Sequence, residues 1–143
     1  MRAVVFVLAC VLATATRPVA AGEEAKTAAH TFGSALVAGK AEGLRPILPR
    51  EGRVHLTLIR LGPEEGLFGA RQVEAVFRDF LAEGSVVSFE IMRCESDRER
   101  SALAHGRATV LDREGRKARV GFHLGFEPEG DRWVLREVKE TAE

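Results

Sequence analysis

The stretch ALAHGRATVLDREGRKARVGFHLGF, residues 102 to 126, holds two runs of alternating character joined by a polar turn. Ala102, Ala104, Gly106, Ala108 and Val110 occupy every second position of the first run, and Val120, Phe122, Leu124 and Phe126 those of the second. A period of two marks a half-buried β-strand. Arg113, Glu114 and Gly115 fit a three-residue hairpin turn with Gly115 left-handed, which sets Asp112 opposite Arg116. Ala108 then faces Val120, Gly106 faces Phe122, Ala104 faces Leu124 and Ala102 faces Phe126. Small residues oppose large ones along the whole apolar face. A slip of one residue would put Phe122 opposite Arg107, so the register is well specified.

The same period extends to both sides of this hairpin. SVVSFEIMRCE (85 to 95) alternates with Val87, Phe89 and Ile91 on one side, and DRWVLREVKE (131 to 140) closes the chain as a further strand. Upstream the period lengthens. In GARQVEAVFRDFLAEG (69 to 84), Val73, Val76, Phe77, Phe80 and Leu81 lie at helical spacing between two glycines. RVHLTLIR (53 to 60) reads as a strand with Val54, Leu56 and Leu58 on one face, followed by a turn at Gly62-Pro63. Residues 23 to 38 place Ala25, Ala28, Ala29, Phe32, Ala35 and Leu36 on one side of a helix that Gly39 can close. Residues 41 to 48 read as a short second helix or turn ending at Pro49. The order predicts an α+β layer in which one antiparallel sheet packs its apolar face on the helices.

The first residues, MRAVVFVLACVLATATRPVAAGEE, carry Arg2, an apolar run from Ala3 to Ala15 and small residues ending at Ala21. This is the pattern of a secretory signal peptide over residues 1–21, ahead of one domain over residues 22–143. The run breaks at Thr16-Arg17-Pro18 after 13 residues, short of the roughly 20 a membrane span needs. No membrane span is therefore expected after cleavage, and the chain is expected in the periplasm or outside the cell. VLAC ending at Cys10 resembles a lipoprotein box, but the apolar run continues past it. Cleavage would also remove Arg2 and Arg17, leaving two fewer basic than acidic residues from an even balance of 21 each. That is no nucleic-acid footprint. Cys94 would be the one remaining cysteine, so no internal disulfide is expected.

The element order, the phrase GLFGARQVEAVFRDFL (66 to 81) and the closing GRATVLDREGRKARVGFHLGFEPEGDRWVLREVKE (106 to 140) resemble the nuclear transport factor 2-like superfamily, and within it small secreted bacterial domains of unknown function. The resemblance covers residues 23 to 140. It implies a cone, a strongly curved sheet wrapped around the helices, often with a pocket inside and often dimerising through the sheet's outer face. Members include isomerases, dehydratases, transport adaptors and non-catalytic ligand binders, so fold alone selects no activity.

An enzyme of such a cone needs a base and an oxyanion donor aimed into its pocket. The chain has no tyrosine, and Asp79, Asp97, Asp112 and Asp131 fall on a polar helix position or in loops and turns. Arg93 extends the inward pattern of Val87, Phe89 and Ile91, and Glu137 extends that of Trp133 and Leu135. The two are candidates for a ligand-binding pair at a pocket mouth, or strand ends reaching solvent. Cys94 has no predicted base beside it. On the outer face His105 faces His123, and a two-residue turn at Glu129-Gly130 would put Arg136 on the other side of His123. The neighbouring rows become Leu103, Gly125, Val134 and Arg107, Gly121, Val138. Gly121 and Gly125 then leave bare spots that ease strand curvature, admit another sheet, or flank a metal. Two histidines are too few for a closed metal site, and Arg136 would repel a cation. The residues expected at an interface are Leu103, His105, Gly121, His123, Gly125, Val134 and Arg136, with no catalytic residue, cofactor or metal. The reading is a secreted or periplasmic non-catalytic interaction module, a homodimer through the outer sheet face. The alternative is a small isomerase or hydrolase acting on an apolar small molecule held in the cone.

Overall fold

A computed structural model describes residues 21–59, 64–97 and 100–142. The leader read at residues 1–21, with Cys10, lies outside the described residues except for Ala21. Helix α1 spans Ala21–Ala38. It ends where Gly39, at φ 69°, donates its N–H to Leu36 O over 3.0 Å, a left-handed stop that glycine reaches without strain. A 3-10 helix, Ala41–Ile47, buries Leu44 and Ile47. Then come β1 (Val54–Leu58), β2 (Glu64–Phe68), α2 (Ala70–Glu83), β3 (Gly84–Asp97), β4 (Ser101–Asp112), β5 (Lys117–Glu129) and β6 (Arg132–Ala142). On α2 the stripe Val73, Phe77 and Phe80 is buried, and the Gln72 side chain accepts the Gly69 N–H at 2.9 Å, satisfying the amide ahead of the first turn.

The strands form one curved, unclosed sheet in the order β2-β1-β6-β5-β4-β3. It is antiparallel except where β1 runs parallel to β6, pairing Leu56 with Val138. The sheet is thus mixed rather than wholly antiparallel as predicted. β2 was not predicted either. Its residues, EEGLF, show no apolar alternation, and the strand exists as the antiparallel partner of β1, with Leu56 opposite Gly66.

The β4–β5 hairpin has the predicted register throughout, from Ala102 opposite Phe126 to Val110 opposite Ala118. Gly115 is left-handed at φ 78°, and the Asp112 N–H donates to Arg116 O at 3.0 Å. Asp112 Oδ1 also accepts the N–H groups of Glu114 and Arg116, at 2.9 and 2.8 Å, which ties the turn.

The β5–β6 hairpin departs from prediction in two places. Its turn is Gly130-Asp131, with Glu129 opposite Arg132, one residue later than expected, and Gly130 takes φ 63°. A bulge then inserts Arg136 between Leu135, opposite Phe126, and Glu137, opposite Gly125. The two changes move the register by three residues, so His123 faces Lys139 and not Arg136. They also reverse the facing of the rest of β6. Val138 joins the core opposite Leu124, while Glu137 turns outward. Strand β3 has irregularities between Val86 and Ser88 and between Ile91 and Arg93, leaving Val87 and Met92 exposed. This carries Arg93 onto the outer face beside His105.

Between α1, α2 and the sheet sits an aromatic plug. Phe32 meets Phe77, Phe89 and Phe122 edge-on with ring centroids 5.5 to 5.6 Å apart, and Phe80 packs on Phe77 and Phe122. Phe77, Phe80, Phe122, Phe126 and Trp133 are buried as predicted, and Phe89 is half-buried. The Phe89 ring is gripped on two sides, since a Cβ at Gly33 or at Gly106 would overlap it. The Trp133 indole N–H donates to Glu24 on α1 at 3.1 Å.

Candidate functional site on the outer sheet face

The bulges of β3 and β6 set which side chains share the outer face. One row across the sheet reads Arg93, His105, His123 and Lys139, and the row beside it reads Glu95, Leu103, Gly125 and Glu137. The two imidazoles stack at a centroid distance of 4.6 Å with planes 7° apart. Beyond β6, His55 stands opposite Glu137, and its Nδ1 lies 3.3 Å from the Glu137 carboxylate. Arg93 pairs with Glu95 at the β3 edge. The face therefore has a basic row against an acidic one, with Leu103 exposed in the second.

Several expected site residues stand elsewhere. Arg93 and Glu137 do not meet inside the cone, because the bulges turn both outward, on strands separated by β4 and β5. Val134 is fully buried opposite Glu127, not beside Gly125. Arg136 leaves the histidine row and ties down the segment ahead of β1, donating to Glu51 O at 2.8 Å and lying 3.4 Å from Glu127. Gly121, opposite Thr141, is buried rather than bare. Gly125 keeps its notch, partly roofed by Glu137, whose Cβ a methyl at Gly125 would approach to 3.2 Å. It borders a surface hollow of about 610 Å³ lined also by Leu103, Glu95 and Glu127.

Sequence reasoning missed two buried carboxylates. Glu74 on α2 accepts Arg45 Nε at 2.9 Å, and Glu140 on β6, opposite Phe122, accepts the Ile59 N–H at 2.8 Å. Each sits where the pattern is otherwise apolar, a signal available in principle, but placing Glu140 required the β6 bulge. Burial pushes the Cys94 thiol above its ordinary range, with Lys26 only partly opposing. That is the reverse of what a nucleophilic thiolate needs. Among the described residues no three His, Cys, Asp or Glu side chains are grouped to hold a metal.

No family model matches this chain, and no curated protein does. Solved structures do. A DUF4783 family protein from Bacteroides uniformis aligns with a TM-score of 0.66 at 15% identity, over 80% of this chain and 95% of its own. A Streptomyces avermitilis protein of the nuclear transport factor 2-like family, provisionally named a dehydratase, aligns at 0.65 and 18% identity, over 85% and 95%. A Bacillus subtilis protein provisionally named an isomerase aligns at 0.70 and 11% identity, over 85% and 88%. At such identities the likeness is one of fold, and the chain has the nuclear transport factor 2-like fold that its element order led one to expect.

Proposed function

We propose that this chain is a non-catalytic interaction module that works as a homodimer through the outer face of its sheet, in the periplasm or outside the cell. The observation that carries the reading is the pair of rows of opposite charge. A two-fold axis lying between the rows sets the basic row of one copy on the acidic row of the other. Lys139 then meets the second copy's Glu137, Arg93 meets its Glu95, His105 covers its exposed Leu103, and His123 enters its notch at Gly125. A self-complementary patch of this kind is what a two-fold interface requires.

The filled interior weighs against the enzyme alternative that the dehydratase and isomerase names raise. Phe77 and Phe122 are fully buried against Phe32, itself fully buried, where an apolar substrate would sit. The buried carboxylates Glu74 and Glu140 are engaged by Arg45 and by the Ile59 N–H. The leader supports export, and an intact mass beginning near Gly22 after expression in a bacterium is the expected result; a retained leader or a lipidated Cys10 would overturn it.

The dimer is tested by charge exchange. Light scattering should give twice the chain mass for the wild type and a monomer for Glu137→Lys, which sets two lysines face to face across the axis. Adding Lys139→Glu to that variant should restore the dimer, because the rows are again complementary. A wild type that is monomeric, or a double variant that stays monomeric while folded, overturns the proposed face.

A further inference from the structure

Away from the outer sheet face, the 3-10 helix, the segment after it, the start of α2 and the start of β6 line an open surface hollow of about 480 Å³. Its charged lining is lopsided. Arg45, Arg50, Arg71 and Arg132 face one carboxylate, Glu74, in a chain with as many acidic as basic residues. Glu74 is occupied, accepting Arg45 Nε at 2.9 Å with Arg78 a further 3.7 Å away. Arg132 is held from behind, donating to Pro46 O at 3.1 Å, to Leu48 O at 3.2 Å and to Glu129 at 2.8 Å. The main chain of Arg50 is fixed as well, its N–H donating to the Glu129 carboxylate at 2.9 Å.

The side chains of Arg50 and Arg71 differ from these. Both are exposed, and neither makes an ion pair or side-chain hydrogen bond among the described residues. Two anchored guanidiniums with their own carboxylates thus frame two that have none. The buried residues Leu48 and Pro49 supply an apolar floor between them.

We propose that this hollow binds a small organic molecule bearing a doubly charged oxyanion, a phosphate monoester or a dicarboxylate, with its carbon body on Leu48 and Pro49. The planar guanidinium fork matches the paired oxygens of either group. The uncompensated charges of Arg50 and Arg71 match two negative charges, and the volume lies within the range of about 300 to 1,000 Å³ usual for small-molecule sites. The site shares no residue with the two rows of the outer face, so it can fail while the dimer stands, and the reverse.

The test is calorimetric titration of the purified protein with inorganic phosphate, phenyl phosphate and succinate, with sodium chloride holding ionic strength constant. At least one of the three should bind saturably, and the preference between phosphates and succinate assigns the oxyanion. If phosphates are preferred, phenyl phosphate should bind more tightly than inorganic phosphate because of the apolar floor. Arg50→Ala with Arg71→Ala should weaken binding by about tenfold or more, the effect of losing charge-assisted hydrogen bonds. The melting temperature without ligand should stay unchanged, since neither side chain has a partner to lose among the described residues. If the double variant folds poorly, Arg50→Gln and Arg71→Gln singly should show the same direction of loss. No saturable binding of any of the three up to about 10 mM, or folded variants that bind as the wild type does, would overturn the site.

Discussion

A methyl group added at Gly106 would land in the tip of the Phe89 ring, and one added at Gly33, on α1, would strike the same ring nearer its root. Phe89 also packs on Phe32 and Phe122, so the ring cannot yield to the methyl without disturbing its aromatic neighbours. Gly106→Ala should therefore destabilise the fold by about 1 to 3 kcal/mol, the usual cost of overpacking a tight core. Replacing Phe89 by Leu in the same chain should return part of that loss, a coupling that denaturant titration of the four-member cycle would reveal. Strict additivity would mean that the contact does not matter. On the outer face, by contrast, the Gly125 notch opens to the surface. Pattern alone distinguishes these roles poorly: the sequence places Gly106 opposite Phe122 but says nothing of Phe89 reaching across from the neighbouring strand.

Each of the two hairpins at the end of the chain is held by a carboxylate at its turn, and the two differ in how legible they were. In β4–β5 the turn chemistry of Arg113-Glu114-Gly115 and the match of small against large residues point to one register, and the His105–His123 pair followed from it. In β5–β6 a glycine in the Pro-Glu-Gly-Asp run allows adjacent turn positions, and the Arg136 bulge leaves no local signature because an arginine suits either face of a strand end. The residues of the candidate row were thus legible up to His123, whereas Lys139, Arg93 and Glu137 depended on bulges. The Asp112 carboxyl is held below its usual range by hydrogen bonds from the Arg116 N–H first, and then by its side chain and the Glu114 N–H. Glu129 is lowered likewise, by the Arg50 N–H first and then by Arg132 and the Glu51 N–H. A carboxyl lowered in the folded chain favours folding fully above its unfolded value, and that contribution disappears as pH falls through the lowered value. Melting temperature should therefore drop between about pH 5 and 3, and Asp112→Asn and Glu129→Gln should each flatten the drop while lowering stability at neutral pH. An unchanged pH profile in both variants would show that the turns do not depend on these charges.

At the scale of the molecule, the four strands β3 to β6 are long and follow one another in the sheet, while β1 and β2 join it through a short parallel seam. That seam pairs His55 with Glu137, Leu56 with Val138 and Thr57 with Lys139. It was not legible, because pairing between strands about 80 residues apart has no local pattern to betray it, although the alternation of β1 itself was plain. What secures the seam is partly polar: Glu140 accepts the Ile59 N–H, and Arg136 and Glu129 hold the segment from Arg50 to Glu51. A parallel seam of few rungs should open before a long antiparallel meander does. Amide hydrogen exchange should accordingly run faster in β1 than in the centre of β4 and β5, even though Val54 and Leu56 are fully buried. Glu140→Ala should speed exchange in β1 selectively and cost roughly 1 to 3 kcal/mol, because it takes a buried acceptor from groups placed to meet it. If β1 exchanged as slowly as β4 and β5, or if Glu140→Ala raised exchange evenly across the sheet, the two-strand unit would be as firmly part of the core as the meander, and Glu140 would not be its clasp.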